Sequence, residues 1–146
     1  MTINPCLNFN GNTEDAFNFY KSVFGGEFAA LMCFKDAPPC PEATGKLSDA
    51  DGEKIMHVAL PIGNGNVLMA TDALESMGQS LTAGNNFSLS VAAESKEEAD
   101  RIFNALAADG KTTMPLGDAF WGAYFGMLTD RFGVRWMINY DYKRQN

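Results

Sequence analysis

Few residues in this chain could move a proton, attack a carbon or hold a metal. His57 is the single histidine, the cysteines are Cys6, Cys33 and Cys40, and carboxylates gather at Asp49, Asp51, Glu53, Asp72 and Glu75. One histidine cannot build a multi-histidine metal centre, but its ordinary pKa suits a general base near neutral pH. Three cysteines without metal-type spacing argue against a disulfide framework and for small, buried thiols in a reduced, cytoplasmic setting. The acidic cluster reads as a solvated face rather than a metal site.

Aromatic residues offer a different chemistry. From Pro115 to Trp136 the chain carries two tryptophans and three phenylalanines. Ala123 to Thr129 reads as a strand, Asp130-Arg131-Phe132-Gly133 as a tight turn, and Val134 to Tyr140 as the returning strand. An Asp opening such a turn bonds amides further on, and Gly commonly closes it. Trp136 alternates with Val134 and Ile138, as a core residue would. Trp121 stands beside Gly122 in a loop, where pocket lining or a subunit contact is the better expectation.

The elements needed to position these side chains appear twice. In the first half, Ile3 to Phe9 alternates as a strand, and Asn12 and Thr13 offer N-caps to a helix. Ala16, Tyr20, Val23 and Phe24 form that helix's apolar stripe, and Gly25-Gly26 supplies its stop. Glu27 to Phe34 is a second strand. After a long acidic, Pro-rich loop from Lys35 to Glu53, strands Lys54 to Ile62 and Val67 to Asp72 close around Asn64-Gly65. In the second half, Phe87 to Ala93 is a strand and Ser95-Lys-Glu-Glu98 a capping box. Ala99, Ile102, Phe103, Leu106 and Ala107 then mark a helix ended by Gly110. Strands near Thr112 to Leu116, Ala123 to Thr129 and Val134 to Tyr140 complete a second βαβββ unit.

The expected fold is therefore α+β, with modules at residues 1–72 and 87–146 and a linker at 73–86. A single module leaves one sheet face bare, and two modules can curve those faces around a shared cleft. At 146 residues, 46% hydrophobic and 20% charged, the chain suits one such domain. Its formal charge of −7 argues against nucleic acid or an anionic membrane surface as partner. No N-terminal signal core or membrane-length apolar run is expected.

Paired βαβββ modules with Phe19-Tyr20-x-x-Val23-Phe24-Gly25-Gly26 resemble the vicinal oxygen chelate superfamily, which includes glyoxalase I, bleomycin resistance proteins and extradiol dioxygenases. The chain is similar to its PhnB-like branch through the region Asn4 to Asn12, Met56-His57, Leu68-Met69-x-x-Asp72, Phe120-Trp121-Gly122 and Asp130-x-Phe132-Gly133-Val134-x-Trp136. Members often bear a 3-demethylubiquinone methyltransferase label, but no strand here runs into the glycine-rich loop that opens a helix in nucleotide-cofactor folds.

The resemblance implies a homodimer and, in metal-dependent members, a divalent ion on four strand positions. Here those positions fall on Pro5, Met69, Asn86 (or Phe87) and Met137. Proline has no side-chain ligand and thioethers suit hard cations poorly, so neither a metal nor another cofactor is expected. The resulting expectation is a small, partly aromatic or apolar ligand held by Leu7, Phe9, Met69, Trp121, Phe125, Trp136 and Met137. The alternative is a lyase or isomerase that uses His57 as base or an atypical metal site. For His57 two positions are open. A two-residue Asn64-Gly65 loop sets it opposite Asp72, on the other face from Leu60 and Met69, and a three-residue loop reverses the faces.

Overall fold

The computed structural model describes residues 1–37 and 47–144, so Cys40 and the middle of the Lys35–Glu53 loop lie outside the described residues. The chain forms two compact units, Met1–Thr82 and Ala83–Asn146. Each is a βαβββ module with a four-stranded mixed sheet.

In the first unit the strands are β1 (Cys6–Phe9), β2 (Ala30–Cys33), β3 (Ile55–Gly63) and β4 (Asn66–Asp72), in the order β1-β4-β3-β2. The β1–β4 pair is parallel and the others antiparallel. Helix α1 (Thr13–Phe24) covers one sheet face, burying Ala16, Phe17, Tyr20 and Val23. Leu7, Phe9, Val58, Leu60, Leu68 and Ala70 meet it from the sheet. Fully burying one such side chain stabilises by roughly 1.5–3 kcal/mol, so this apolar layer holds helix to sheet. Regular β1 begins later than the alternation predicts, because Pro5 lacks an N–H. Its carbonyl still accepts from Met69 N (3.1 Å), and Asn4 Oδ1 accepts from Val67 N (3.3 Å).

The N-terminus of α1 departs from the expected local cap. Asn12 makes no side-chain cap bond. Asp72, at the far end of β4, closes that end instead. Its Oδ1 accepts from Gly11 N (3.0 Å), Thr13 N (3.1 Å) and Thr13 Oγ1 (2.6 Å), while Oδ2 accepts from Ile55 N (2.8 Å). A buried carboxylate with four donors is the form in which a charge can be kept out of water.

The expected long loop also carries structure, in a 3-10 turn at Phe34–Asp36 and a short helix, α2 (Asp49–Gly52). Asp51 anchors α2: Lys54 Nζ lies 2.9 Å from its Oδ1, and Ser76 Oγ donates to its Oδ2. The first residues of the expected linker, Ala73 and Leu74, are buried within this unit.

The second unit repeats the topology. Strands β5 (Leu89–Ala92), β6 (Lys111–Ala119), β7 (Ala123–Thr129) and β8 (Arg135–Asp141) are ordered β5-β8-β7-β6, with β5–β8 parallel. Helix α3 (Lys96–Ala107) buries Ala99, Ile102, Phe103 and Leu106 against β7 and β8. Its cap is local: Ser95 Oγ accepts from Glu98 N (3.0 Å), and Glu98 Oε2 accepts from Glu94 N (2.7 Å). The left-handed residue after α3 is Asp109 (φ 58°), not Gly110. Gly110 is required by packing, because a Cβ there would stand 2.4 Å from the Thr129 carbonyl oxygen. β6 runs beyond Leu116 to Ala119, with its register shifting on both sides of Met114.

Two phenol–carboxylate pairs lie on the helix side of this second sheet. Tyr124 donates to Asp100 (2.5 Å) under the Lys96 ammonium, which sits 4.7 Å from its ring centroid. Tyr142 donates to Asp118. These hydrogen bonds, reinforced by desolvation, push both phenols from 10.0 up to about 12.

Two outcomes follow. Asp72→Ala strands buried N–H donors and is expected to cost at least about 3 kcal/mol in urea unfolding. A loss below about 1 kcal/mol, within the range of one ordinary hydrogen bond, contradicts the clamp. The raised phenol pKa values mean that the folded state keeps protons which the unfolded state releases first. Their stabilisation is complete below about 10 and falls away as pH rises towards about 12. Phenolate absorbance should show Tyr124 and Tyr142 ionising late, and Tyr142→Phe should remove one late-ionising phenol. If Tyr142→Phe removes no late-ionising phenol, the assignment is refuted.

Candidate functional site

Side chains alternate across a strand, so register decides which residues the helix-free face of each sheet presents. In the first unit the hairpin loop has two residues, Asn64 (φ 52°) and Gly65 (φ 77°), but Ile62 is an extra residue in β3. That bulge moves the pairing by one step. Leu60 pairs with Leu68, and Ala59 with Met69. His57 therefore does not sit opposite Asp72, as a regular two-residue hairpin would have it. It shares the helix-free face with Ala59 and Met69, beside Met32 of β2. Leu60 is fully buried under α1.

The same rule sorts the other expected ligand-binding residues. Leu7 and Phe9 belong to the helix side, where the Phe9 ring packs edge-on to Phe17 with centroids 6.4 Å apart. They cannot line the helix-free face. Trp136 is likewise core, 2% exposed, with its indole Nε1 donating to Asp130 Oδ2 at 2.8 Å. Asp130 Oδ1 accepts from Phe132 N and Val134 N at 2.8 and 3.0 Å, so one carboxylate ties the β7–β8 turn to the tryptophan.

Phe125, Met127, Met137 and Asn139 occupy the helix-free face of the second sheet. Phe125 pairs with Asn139, and Met127 with Met137. Trp121, 52% exposed in the β6–β7 turn, packs against Phe125 with centroids 5.5 Å apart and also meets Phe120 at 5.0 Å. Phe120 itself is 98% exposed. Asn139 went unnoticed in the sequence. Its signal was its parity with Met137, two residues before it, on a strand whose other parity is apolar.

Met69 and Met137 hold corresponding positions. Each lies on the last strand of its unit, paired in parallel with a first-strand residue, Cys6 in one case and Ser90 in the other. Neither Pro5 nor Asn86 is a ladder partner of these methionines. Pro5 contributes only its carbonyl to Met69, and Asn86 and Phe87 precede β5, with Phe87 exposed. The donors beside the two thioethers are thus a thiol and a hydroxyl. Among the described residues no three His, Cys, Asp or Glu converge as a metal group. Neither pair, thioether with thiol or thioether with hydroxyl, fits a divalent ion that prefers nitrogen and carboxylate oxygen.

The helix N-termini are also occupied. Gly11 and Thr13 amides are bound to Asp72, and the Glu98 amide to Ser95. The positive ends that could hold an anionic cofactor group already have side-chain oxygens on them.

Residues 1–139 match the family model described as 3-demethylubiquinone-9 3-methyltransferase. The chain belongs to that family. Protein YjdN of Escherichia coli K12 is 34% identical over 143 residues, covering 95% of both chains. The crystal structure of PA1353 from Pseudomonas aeruginosa is 41% identical, with a TM-score of 0.84 over 97% of this chain and 98% of that one. A Bacillus cereus structure described as a putative 3-demethylubiquinone-9 3-methyltransferase, PhnB protein, is 30% identical, with TM-score 0.72 over 96% and 99%. Glyoxalase-related and glyoxalase/bleomycin resistance structures at 19% and 21% identity share the fold. The chain is thus PhnB-like, with a glyoxalase-like α+β fold. Among its described residues no helix is long and apolar enough to cross a membrane.

The two tryptophans should behave differently. Acrylamide is expected to quench Trp121 and spare Trp136, so Trp121→Ala leaves a fluorescence that acrylamide barely reduces. Trp136→Phe leaves an Asp130 oxygen without its indole donor and should lower stability by about 1–3 kcal/mol. Equal quenching in the two single-tryptophan proteins would reverse the assignment.

Proposed function

We propose that this protein binds a small, partly aromatic or apolar molecule on a helix-free sheet face, without the divalent metal used by metal-dependent relatives. One observation carries the reading. Met69 and Met137 stand in matching registers where charged ligands are expected, and the second of them is followed along the sheet by Met127, Phe125 and Trp121. Flexible thioethers beside aromatic rings make an adaptable apolar surface. Removing a single ring from water would contribute a few kcal/mol, at about 25 cal/mol for each Å², before the cost of association. Affinity in the micromolar range fits that balance. The family description names a methyl transfer, but nothing in the side chains described above supplies a step of that kind. A homodimer in a cytoplasmic setting belongs to the same proposal, on the resemblance given above.

A second reading is a lyase or isomerase. The observation in its favour is that His57 faces the same side as Met69, where it could take a proton from a bound molecule.

The test uses untagged protein. Elemental analysis should find no stoichiometric transition metal, and light scattering should give the mass of a dimer. A metabolite screen by thermal shift should find aromatic ligands that raise the melting temperature. Trp121→Ala should weaken such a ligand by at least about tenfold, or about 1.4 kcal/mol, with its own melting temperature unchanged. One metal per chain, or turnover of a hit abolished by His57→Ala, would replace the binding reading with the enzyme. A monomer would remove the dimer from it.

A further inference from the structure

The helix-free face of the second sheet is not wholly apolar. Asn139 sits in its middle, with the Phe125 ring across one strand boundary and the Ala92 methyl across the other. Met137 precedes it on the same face, opposite Met127. The Asn139 backbone is spent on the sheet, its carbonyl accepting from Ala93 N at 2.8 Å. Among the described residues, its side-chain amide has no hydrogen-bond partner. It is partly exposed, with Phe125 and Ala92 as its strand-pair neighbours. On the same face the Arg135 guanidinium donates to the Asn85 carbonyl, and Asp141 Oδ1 accepts from Lys143 N.

A primary amide presents one acceptor and one donor side by side in a plane. That edge is matched by another acceptor–donor edge of the same spacing, as in a lactam, a cyclic imide or an amide-bearing heteroaromatic ring. A purely hydrocarbon ring laid on Phe125 and Trp121 would desolvate the Asn139 amide and leave it unpaired, at a cost.

We propose that Asn139 is the specificity-determining residue of this face, and that the preferred ligand is a flat ring with adjacent N–H and C=O groups. The ring packs on Trp121 and Phe125, and its amide edge pairs with both atoms of the Asn139 side chain. This inference rests on the binding reading above and adds the chemical class of the ligand. Sites built to hydrogen-bond a ligand discriminate strongly against an analogue that lacks the group, because their own polar atoms are then left unpaired.

The test compares carbostyril with N-methylcarbostyril, which share a bicyclic ring and carbonyl but differ in the N–H. Binding is read from the change in Trp121 fluorescence, with buried Trp136 as the constant background. The native protein should prefer carbostyril by at least about tenfold, within the range expected of one lost hydrogen bond in a desolvated site. Asn139→Leu should erase that preference while binding the N-methyl compound about as well as before. Asn139→Gln, which keeps the amide but displaces it, should lower the preference and serves as a check if the leucine variant folds poorly. Equal binding of both rings to native protein, or a preference that survives in Asn139→Leu and Asn139→Gln, overturns the role of Asn139 and leaves the aromatic face intact. Failure of either ring to perturb Trp121 at any concentration overturns the role of Asn139 and counts against the binding reading as well.

Discussion

The first module is organised around the Asp72 carboxylate. Its four donors come from the β1–α1 turn, the first residue of α1 and the start of β3, while the carboxylate itself ends β4. One buried group thereby fixes where the helix starts, how far β1 runs beside β4 and where β3 enters the sheet. The apolar layer beneath α1 supplies more energy, but it has no directional preference of its own. Hydrogen bonds to a charged acceptor do, and they place Met69 three residues before the clamp on the face that α1 does not cover.

The second module reaches the same topology with different polar devices. At the sheet position that Asp72 holds in the first module stands Tyr140, a buried ring, and the helix takes its cap from its own first turn. A carboxylate does organise this unit, but at its other end, where Asp130 joins the β7–β8 turn to Trp136. Only the backbone frame and the Met69 and Met137 positions correspond closely. The helix-free faces are therefore free to differ. One carries His57 and Cys6, the other Phe125 and Asn139.

Strand and helix order was legible in the sequence, because apolar periodicity marks the elements in both halves. The faces were harder. A one-residue bulge at Ile62 reverses the side to which His57 points, and nothing in the local composition distinguishes a bulged strand from a regular one. Leu7, Phe9 and Trp136 look equally suited to a ligand or a core, and the outcome depends on which parity meets a helix. Pro5 and Asn86 came from the resemblance to metal-dependent relatives, and the register puts Cys6 and Ser90 beside the methionines. Phe125, Met69 and Met137 lie off the helix side, and Trp121 packs on Phe125 from the β6–β7 turn. Asn12 was a reasonable cap by residue type, and it lost to a carboxylate sixty residues away in the chain.

The contrast between the two helix caps also bears on the order of folding. The cap of α3 is built from residues three and four positions apart, so it is available as soon as that stretch of chain exists. It can offset the costly first turn of a helix before any sheet has formed. The cap of α1 needs a partner 59 residues further on. That loop must close first, and closing it costs chain entropy before the contact gives anything back. The C-terminal unit thus carries a local nucleus that the N-terminal unit lacks. On a ribosome, the first unit to emerge is the one whose helix must wait for its last strand.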